Sequence, residues 1–232
     1  DGVRIDNDEF KKNPLDFALW KSAKAGEPYW DSPWGKGRPG WHIECSVMNY
    51  VTFGDQIDIH GGGRDLLFPH HENEIAQTES LTGKAFAKYW IHNGLIRVNG
   101  QKMSKSLGNS LLMKDLRKNY HIEVIKMALL QNSYHTDINI TEKLFQDAEK
   151  HLYNFYSVLL QAKEKFGKFS GKDEKVEEDF DDAMRDDLNT SKAISYLFNI
   201  FKEVKEKIAK NDKSVMATLN SVICTYSLLR LF

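Results

Sequence analysis

Residues Gln56-Ile57-Asp58-Ile59-His60 alternate polar and apolar side chains and run directly into three consecutive glycines, Gly61-Gly62-Gly63. Alternation at period two is the mark of a strand, and the glycines are expected to end it. A second β-like run, Lys88-Tyr89-Trp90-Ile91-His92, follows after turn-rich and helical stretches. A strand that feeds glycines and then a helix places ligands at the carboxyl edge of a parallel sheet. This feature constrains the first half of the chain to an α/β layer with its site at one sheet edge.

Near residue 115 the apolar period lengthens. Leu144, Ala148, Leu152, Phe155 and Leu159 form one helical stripe, and Ala193, Leu197, Ile200, Val204 and Ile208 form another. A third helix is expected to carry Leu219, Val222, Ile223, Tyr226 and Leu229. Between the first two, Lys163 to Asp182 is charge-rich with two glycines and reads as a loop or helix-end linker. The fold class is therefore α/β followed by an all-α helical bundle, with 41% hydrophobic residues to fill the cores. Cys224 lies in the third apolar run and reads as a core thiol.

The formal net charge of −1 gives no global attraction to nucleic acid, so any such contact must come from local patches such as Lys114, Arg117 and Lys118. Two widely spaced cysteines argue against a disulfide framework and fit a reducing, cytoplasmic compartment. No apolar run approaches the ~20 residues of a membrane span, and no signal peptide is visible.

Two clusters carry chemistry. Leu95 to Met103 reads as a hairpin turning at Asn99-Gly100, and it leads into Lys102-Met103-Ser104-Lys105-Ser106 with Gly108 close behind. Two lysines on such a loop suit a polyphosphate. Attack of a carboxylate on the α-phosphate of ATP would need a positioned ammonium against the charge growing on pyrophosphate. A solvated Lys/Ser loop is the plain alternative. The second cluster is Cys45 in Gly40-Trp41-His42-Ile43-Glu44-Cys45, with His70 and Glu74 in Phe68-Pro69-His70-His71-Glu72-Asn73-Glu74. Pro69 suits a first helical turn, which sets His70 and Glu74 at i and i+4 on one face. Thiolate, imidazole and carboxylate together favour Zn²⁺ over Mg²⁺ or Ca²⁺. Taken singly, each residue could instead be a buried thiol, a core or capping histidine, or a helix-start acid. Taken together beside a nucleotide loop, they read as a metal site one protein ligand short.

These stretches, with Gly26-Glu27-Pro28 ahead of them and His60-Gly61-Gly62-Gly63-Arg64-Asp65 between them, resemble the cysteinyl-tRNA synthetases, a family of class I aminoacyl-tRNA synthetases. The similarity is dense over residues 1–140. It continues more weakly into the helices, where Arg185-Asp186-Asp187-Leu188-Asn189-Thr190 resembles the start of a second helical segment. The resemblance implies a Rossmann-like catalytic portion with the lysine loop over residues 1–115, a stem-contact segment over 116–140, and a bundle leading to an anticodon-binding region over 141–232. It implies ATP with Mg²⁺, L-cysteine and tRNA(Cys) as reactants and partner, a resident zinc on Cys45, His70 and Glu74, and a monomeric enzyme. Lys102 and Lys105 are the implied catalytic residues, with Lys105 also on ATP. Trp41 and His60 are candidate walls of the amino-acid pocket, although both could be packing residues. Gly63 and Asp65 fit a ribose clamp, with a helix cap as the alternative role for Asp65. His71 and Glu72 face elsewhere on their helix and suit an outer shell around the metal. The family's HIGH loop and fourth zinc ligand, a cysteine, are expected upstream of residue 1, and these 232 residues alone are expected to be inactive. Two other readings share the motifs: a mycothiol-pathway ligase joining cysteinyl-adenylate to an amino-sugar, and a non-catalytic zinc-bearing RNA-binding paralogue.

Overall fold

The computed structural model describes residues 11–103 and 108–232. The chain forms two compact units, Asp1–Asn93 and Gly94–Phe232.

In the first unit, β1 (Trp20–Ser22) and β2 (Gly37–Pro39) pair antiparallel. Helix α1 (Trp41–Phe53) follows, then β3 (Ile57–Gly63), α2 (Glu72–Thr82) and β4 (Ala87–Asn93). Strands β3 and β4 pair in parallel from Ile57↔Ala87 to Gly63↔Asn93. The expected parallel layer is therefore present, but the three glycines do not end the strand. They stay in register with Ile91, His92 and Asn93, because the partner backbone satisfies their hydrogen-bonding groups while the missing side chains leave room above the sheet.

The second unit opens with the expected hairpin. Strand β5 (Ile96–Val98) pairs antiparallel with β6 (Gln101–Lys102) through Asn99 and Gly100, whose φ values of 50° and 83° are those of a tight hairpin turn. On its other side β5 pairs in parallel with β7 (Ile138–Ile140), which lies beyond helices α3 (Met113–Asn119) and α4 (Ile122–Leu130). The Asn139 side chain accepts from the Gly100 backbone N–H at 2.8 Å, fastening the turn to β7.

Helices α5 (Glu142–Phe166), α7 (Thr190–Ala209) and α8 (Val215–Tyr226) match the three apolar stripes, and their inward residues form one core with α4. Thr141 caps α5 through the Leu144 N–H, and Asn189 caps α7 through the Lys192 N–H. Two expectations fail here. The supposed linker contains a further helix, α6 (Glu174–Arg185), whose Val176, Phe180 and Ala183 are buried. Three apolar residues at i, i+4 and i+7 suffice once neighbouring helices cover them, and the surrounding acids hide so narrow a stripe. Cys224 is exposed and is not a core thiol. On α8 the core is met by Leu219, Val222 and Tyr226, which leaves position 224 on the outer face. Among the described residues no helix is long and apolar enough to cross a membrane.

Replacing Phe180, 2% exposed, should therefore remove a core contact and not a linker side chain. Phe180→Ala is expected to lower unfolding stability by about 3–5 kcal/mol, and Cys224→Ser by less than ~0.5 kcal/mol, in urea titrations followed by circular dichroism. A negligible effect of Phe180→Ala would return residues 174–185 to the role of a linker.

Candidate active site and metal centre

Among the described residues of the first unit, the buried hydrophobic side chains are Ile57 and Phe86, while Ser46, His70, His71, Asn73, Glu74 and Thr78 are buried polar groups. A folded layer does not place that many polar groups inside unless they satisfy one another or serve a site.

Glu74, 1% exposed, is the centre of the cluster. One carboxylate oxygen accepts from His70 Nε2 at 2.9 Å and the other from His60 Nε2 at 2.6 Å. With both imidazoles donating from Nε2, His70 Nδ1 is left as an acceptor, and it meets His42 Nδ1 at 2.8 Å. His71 Nδ1 pairs in the same way with His92 Nε2 at 2.8 Å. His60 packs its ring edge against Trp90 and His71, with centroids 4.8 Å and 5.0 Å away. Trp41 lies flat over His70 at 4.4 Å and 13° and stacks on His42 at 5.0 Å, while remaining 53% exposed.

The helix that carries the motif departs from expectation at its start. Helix α2 begins at Glu72, and the preceding Leu67–His71 turn is wider, with Phe68 in extended conformation and a cis Phe68–Pro69 bond. His70 and Glu74 nevertheless meet across the predicted i, i+4 spacing. His71, expected to face elsewhere, is buried in the same cluster, because the wide turn rotates both histidines inward. Burial depresses the His71 pKa to about 4, helped by its histidine neighbours. Burial likewise lowers the His42 pKa. The Cys45 thiol is pushed up, first by burial and then by the adjacent Glu74 carboxylate.

Cys45, His70 and Glu74 each offer one ligand atom, and these atoms lie within 4.8 Å of one another, close enough to share one cation. A thiol, an imidazole and a carboxylate at that spacing fit Zn²⁺, and ligation there would be coupled to release of the thiol proton. His60, His71 and Glu74 form a second group within the same limit, but it has no sulfur donor. Position 60 thus holds a direct partner of Glu74 as well as bordering the cluster. Gly63 ends β3, and a Cβ built on it would fall 2.5 Å from Asp65 Oδ1, so the aspartate side chain is folded back against the bare backbone. Lys102 is exposed on β6, and Lys105 lies outside the described residues. His42 and His92 as ring partners were not singled out from the sequence. Their signal was available, because five of the chain's eight histidines fall between residues 42 and 92.

Residues 1–150 match the catalytic domain of the tRNA synthetases class I (C), and residues 179–228 match the DALR domain. The chain belongs to the class I (C) tRNA synthetase family. It is 48% identical over 221 residues to the cysteine–tRNA ligase of Thermodesulfovibrio yellowstonii, covering 90% of this chain and 45% of that protein. For the cysteine–tRNA ligase of Geobacter sulfurreducens the identity is 46% over 235 residues, with 96% and 49% covered. For that of Pseudomonas aeruginosa PAO1 it is 50% over 220 residues, with 94% and 46% covered. The chain spans about half the length of the curated relatives it matches. A LeuRS from Agrobacterium radiobacter K84, solved as a ternary complex with tRNA and LeuAMS, shares the fold at a TM-score of 0.64 and 14% identity, over 90% of this chain and 34% of that one.

Close packing inside the cluster is testable apart from any chemistry. A methyl group on Gly62 would lie 2.9 Å from His71 Cε1. Gly62→Ala is expected to cost about 1–3 kcal/mol of stability, the range for overpacking a filled interior, measured by thermal unfolding. An unchanged transition would mean that His71 is free to move aside.

Proposed function

We propose that this chain is the cysteine-activating portion of a cysteine–tRNA ligase. Cysteine and ATP would give cysteinyl-adenylate and pyrophosphate, and the cysteinyl group would then pass to tRNA(Cys). The observation that carries this reading is the convergence of Cys45, His70 and Glu74 within 4.8 Å. It occurs in a chain 46–50% identical to proteins named for that activity.

Cys45, His70 and Glu74 would hold a zinc ion, with a further cysteine thiolate supplied from outside residues 1–232. Bound there, Zn²⁺ supplies the affinity for a thiolate that separates cysteine from serine, and discrimination of this kind needs no editing step. The residues around it have separate tasks. His60 holds the Glu74 carboxylate in orientation through its 2.6 Å bond, as ligand-supporting partners do. The exposed part of the Trp41 ring forms one wall for a small side chain. Gly63 lets a ribose approach the backbone, and the Asp65 carboxylate accepts from a sugar hydroxyl. Lys102 and Lys105 offset the charge that grows on pyrophosphate as it departs, a contribution made chiefly in the transition state. Mg²⁺ accompanies the nucleotide. A monomeric, cytoplasmic enzyme is part of the same reading.

The test uses the complete gene product. Cysteine-dependent ATP–pyrophosphate exchange, followed by charging of tRNA(Cys) in preference to transfer onto an amino-sugar, is expected. Exchange with transfer only to the amino-sugar would favour the mycothiol-type ligase, and no exchange at all would favour a non-catalytic binding protein. Elemental analysis should find about one zinc per chain, and Cys45→Ser should lose most of the metal and the preference for cysteine over serine. Lys105→Ala should slow adenylate formation by roughly 10²–10³ at saturating ATP, with zinc content unchanged. Full activity in that variant would remove the lysine loop from the mechanism.

A further inference from the structure

Two of the clefts in the helical bundle have contrasting linings. One, of ≈ 430 Å³ between α6, α7 and α8, is bordered by Asp173, Asp179 and Glu203. The other, of ≈ 300 Å³ between α5 and α7, has no carboxylate in its lining.

The floor of the second cleft is aromatic. Phe155 stacks on Phe201 at 4.4 Å, and both are buried. Phe198 is half-buried beside them, 5.2 Å from Phe155, with the ring of His151 set edge-on to it at 4.7 Å and 81°. The rim carries Lys202 and Lys205, one turn of α7 apart, and Asn154 from α5; all three are exposed. Lys143 on α5, Lys175 on α6 and Lys192 at the start of α7 are each paired with an aspartate, whereas among the described residues Lys202 and Lys205 have no carboxylate within ion-pairing distance. The Gln131 side-chain amide donates to His151 Nδ1 at 3.1 Å, which assigns the ring proton to Nε2 and leaves that atom as a donor.

We propose that this cleft receives one unstacked nucleotide of the RNA partner. Its base would lie against the Phe198 ring, with Asn154 and His151 at the base edge and Lys202 and Lys205 on the adjoining phosphates. An aromatic platform flanked by unpaired cations is the combination that holds single nucleotides, since every base offers a π-face and every linkage a charge. With a formal net charge of −1, the chain as a whole offers RNA no attraction, so a cleft lined by two lysines and no carboxylate supplies it locally. The volume admits a base with its sugar and lies at the lower limit for larger organic ligands. The inference rests on the proposed reading of tRNA as partner and adds a defined subsite to it.

The test measures binding of a tRNA(Cys) transcript to the complete gene product across a salt series. Replacing both lysines (K202A with K205A) should make the log–log salt dependence shallower by about 1.4, the loss of two single-strand phosphate contacts. Phe198→Leu should weaken binding about tenfold with the salt slope unchanged, and Phe198→Tyr, which keeps the ring, should retain affinity. Thermal unfolding checks that the Phe198 variants fold; if Phe198→Leu does not, the exposed Asn154→Ala takes its place, with a loss of about threefold expected. Affinities and slopes matching wild type in all variants would overturn the proposal, as would a lysine effect with no effect at Phe198 or Asn154, the result for a merely basic patch. Cysteine-dependent pyrophosphate exchange, run in parallel without tRNA, reports on the parent reading. Intact exchange with unaltered RNA binding would sink this subsite alone, and absence of both exchange and tRNA binding in the wild type would sink both.

Discussion

A carboxylate removed from water has to be compensated, and in this chain that requirement ties together α1, β3, α2 and β4 of the first unit. Glu74 lies on α2, its partner His60 on β3, and His70 on the turn between them. Satisfying one side chain therefore fixes a helix, a strand and their connection relative to each other. The ring of His42 extends the network to α1, and His71 extends it to His92 on β4. Removing a single member would leave a buried group without its partner, which costs more than the bond itself contributes. Polar satisfaction here takes the place that apolar packing usually holds.

The second unit follows the opposite logic. Its core is a continuous set of aliphatic and aromatic side chains from α4 to α8, and the buried Tyr226 hydroxyl is satisfied by donating to the Ala193 carbonyl. Such a core is robust because each contact is weak and redundant, with no dependence on protonation. The chain thus combines a unit built on polar satisfaction with one built on apolar packing within 232 residues.

The sequence was legible where a single period dominates. The stripes beginning at Leu144, Ala193 and Leu219 read directly as helices because five apolar residues recur in each. The Asn99-Gly100 hairpin was legible because positive φ at two successive positions suits few residue pairs. Helix α6 was hidden because only three inward residues mark it among many acids, and Cys224 was misread because an apolar run does not say which of its members faces out. At the site, Cys45, His70 and Glu74 could be grouped by ligand chemistry and spacing. The contacts of His42 and His92 could not, since they depend on how the Leu67–His71 turn rotates its rings.

Strand β5 is hydrogen-bonded on both edges, to β6 across the turn and to β7 beside it. Side chains in a strand alternate at period two, so losing or gaining one residue within 96–102 would invert every side chain beyond the change and break one of the two ladders. The hairpin is for this reason a segment of fixed length. Insertions and deletions can be absorbed where no ladder constrains the count, such as the connection between α5 and α6, but not in the two rungs that carry Lys102.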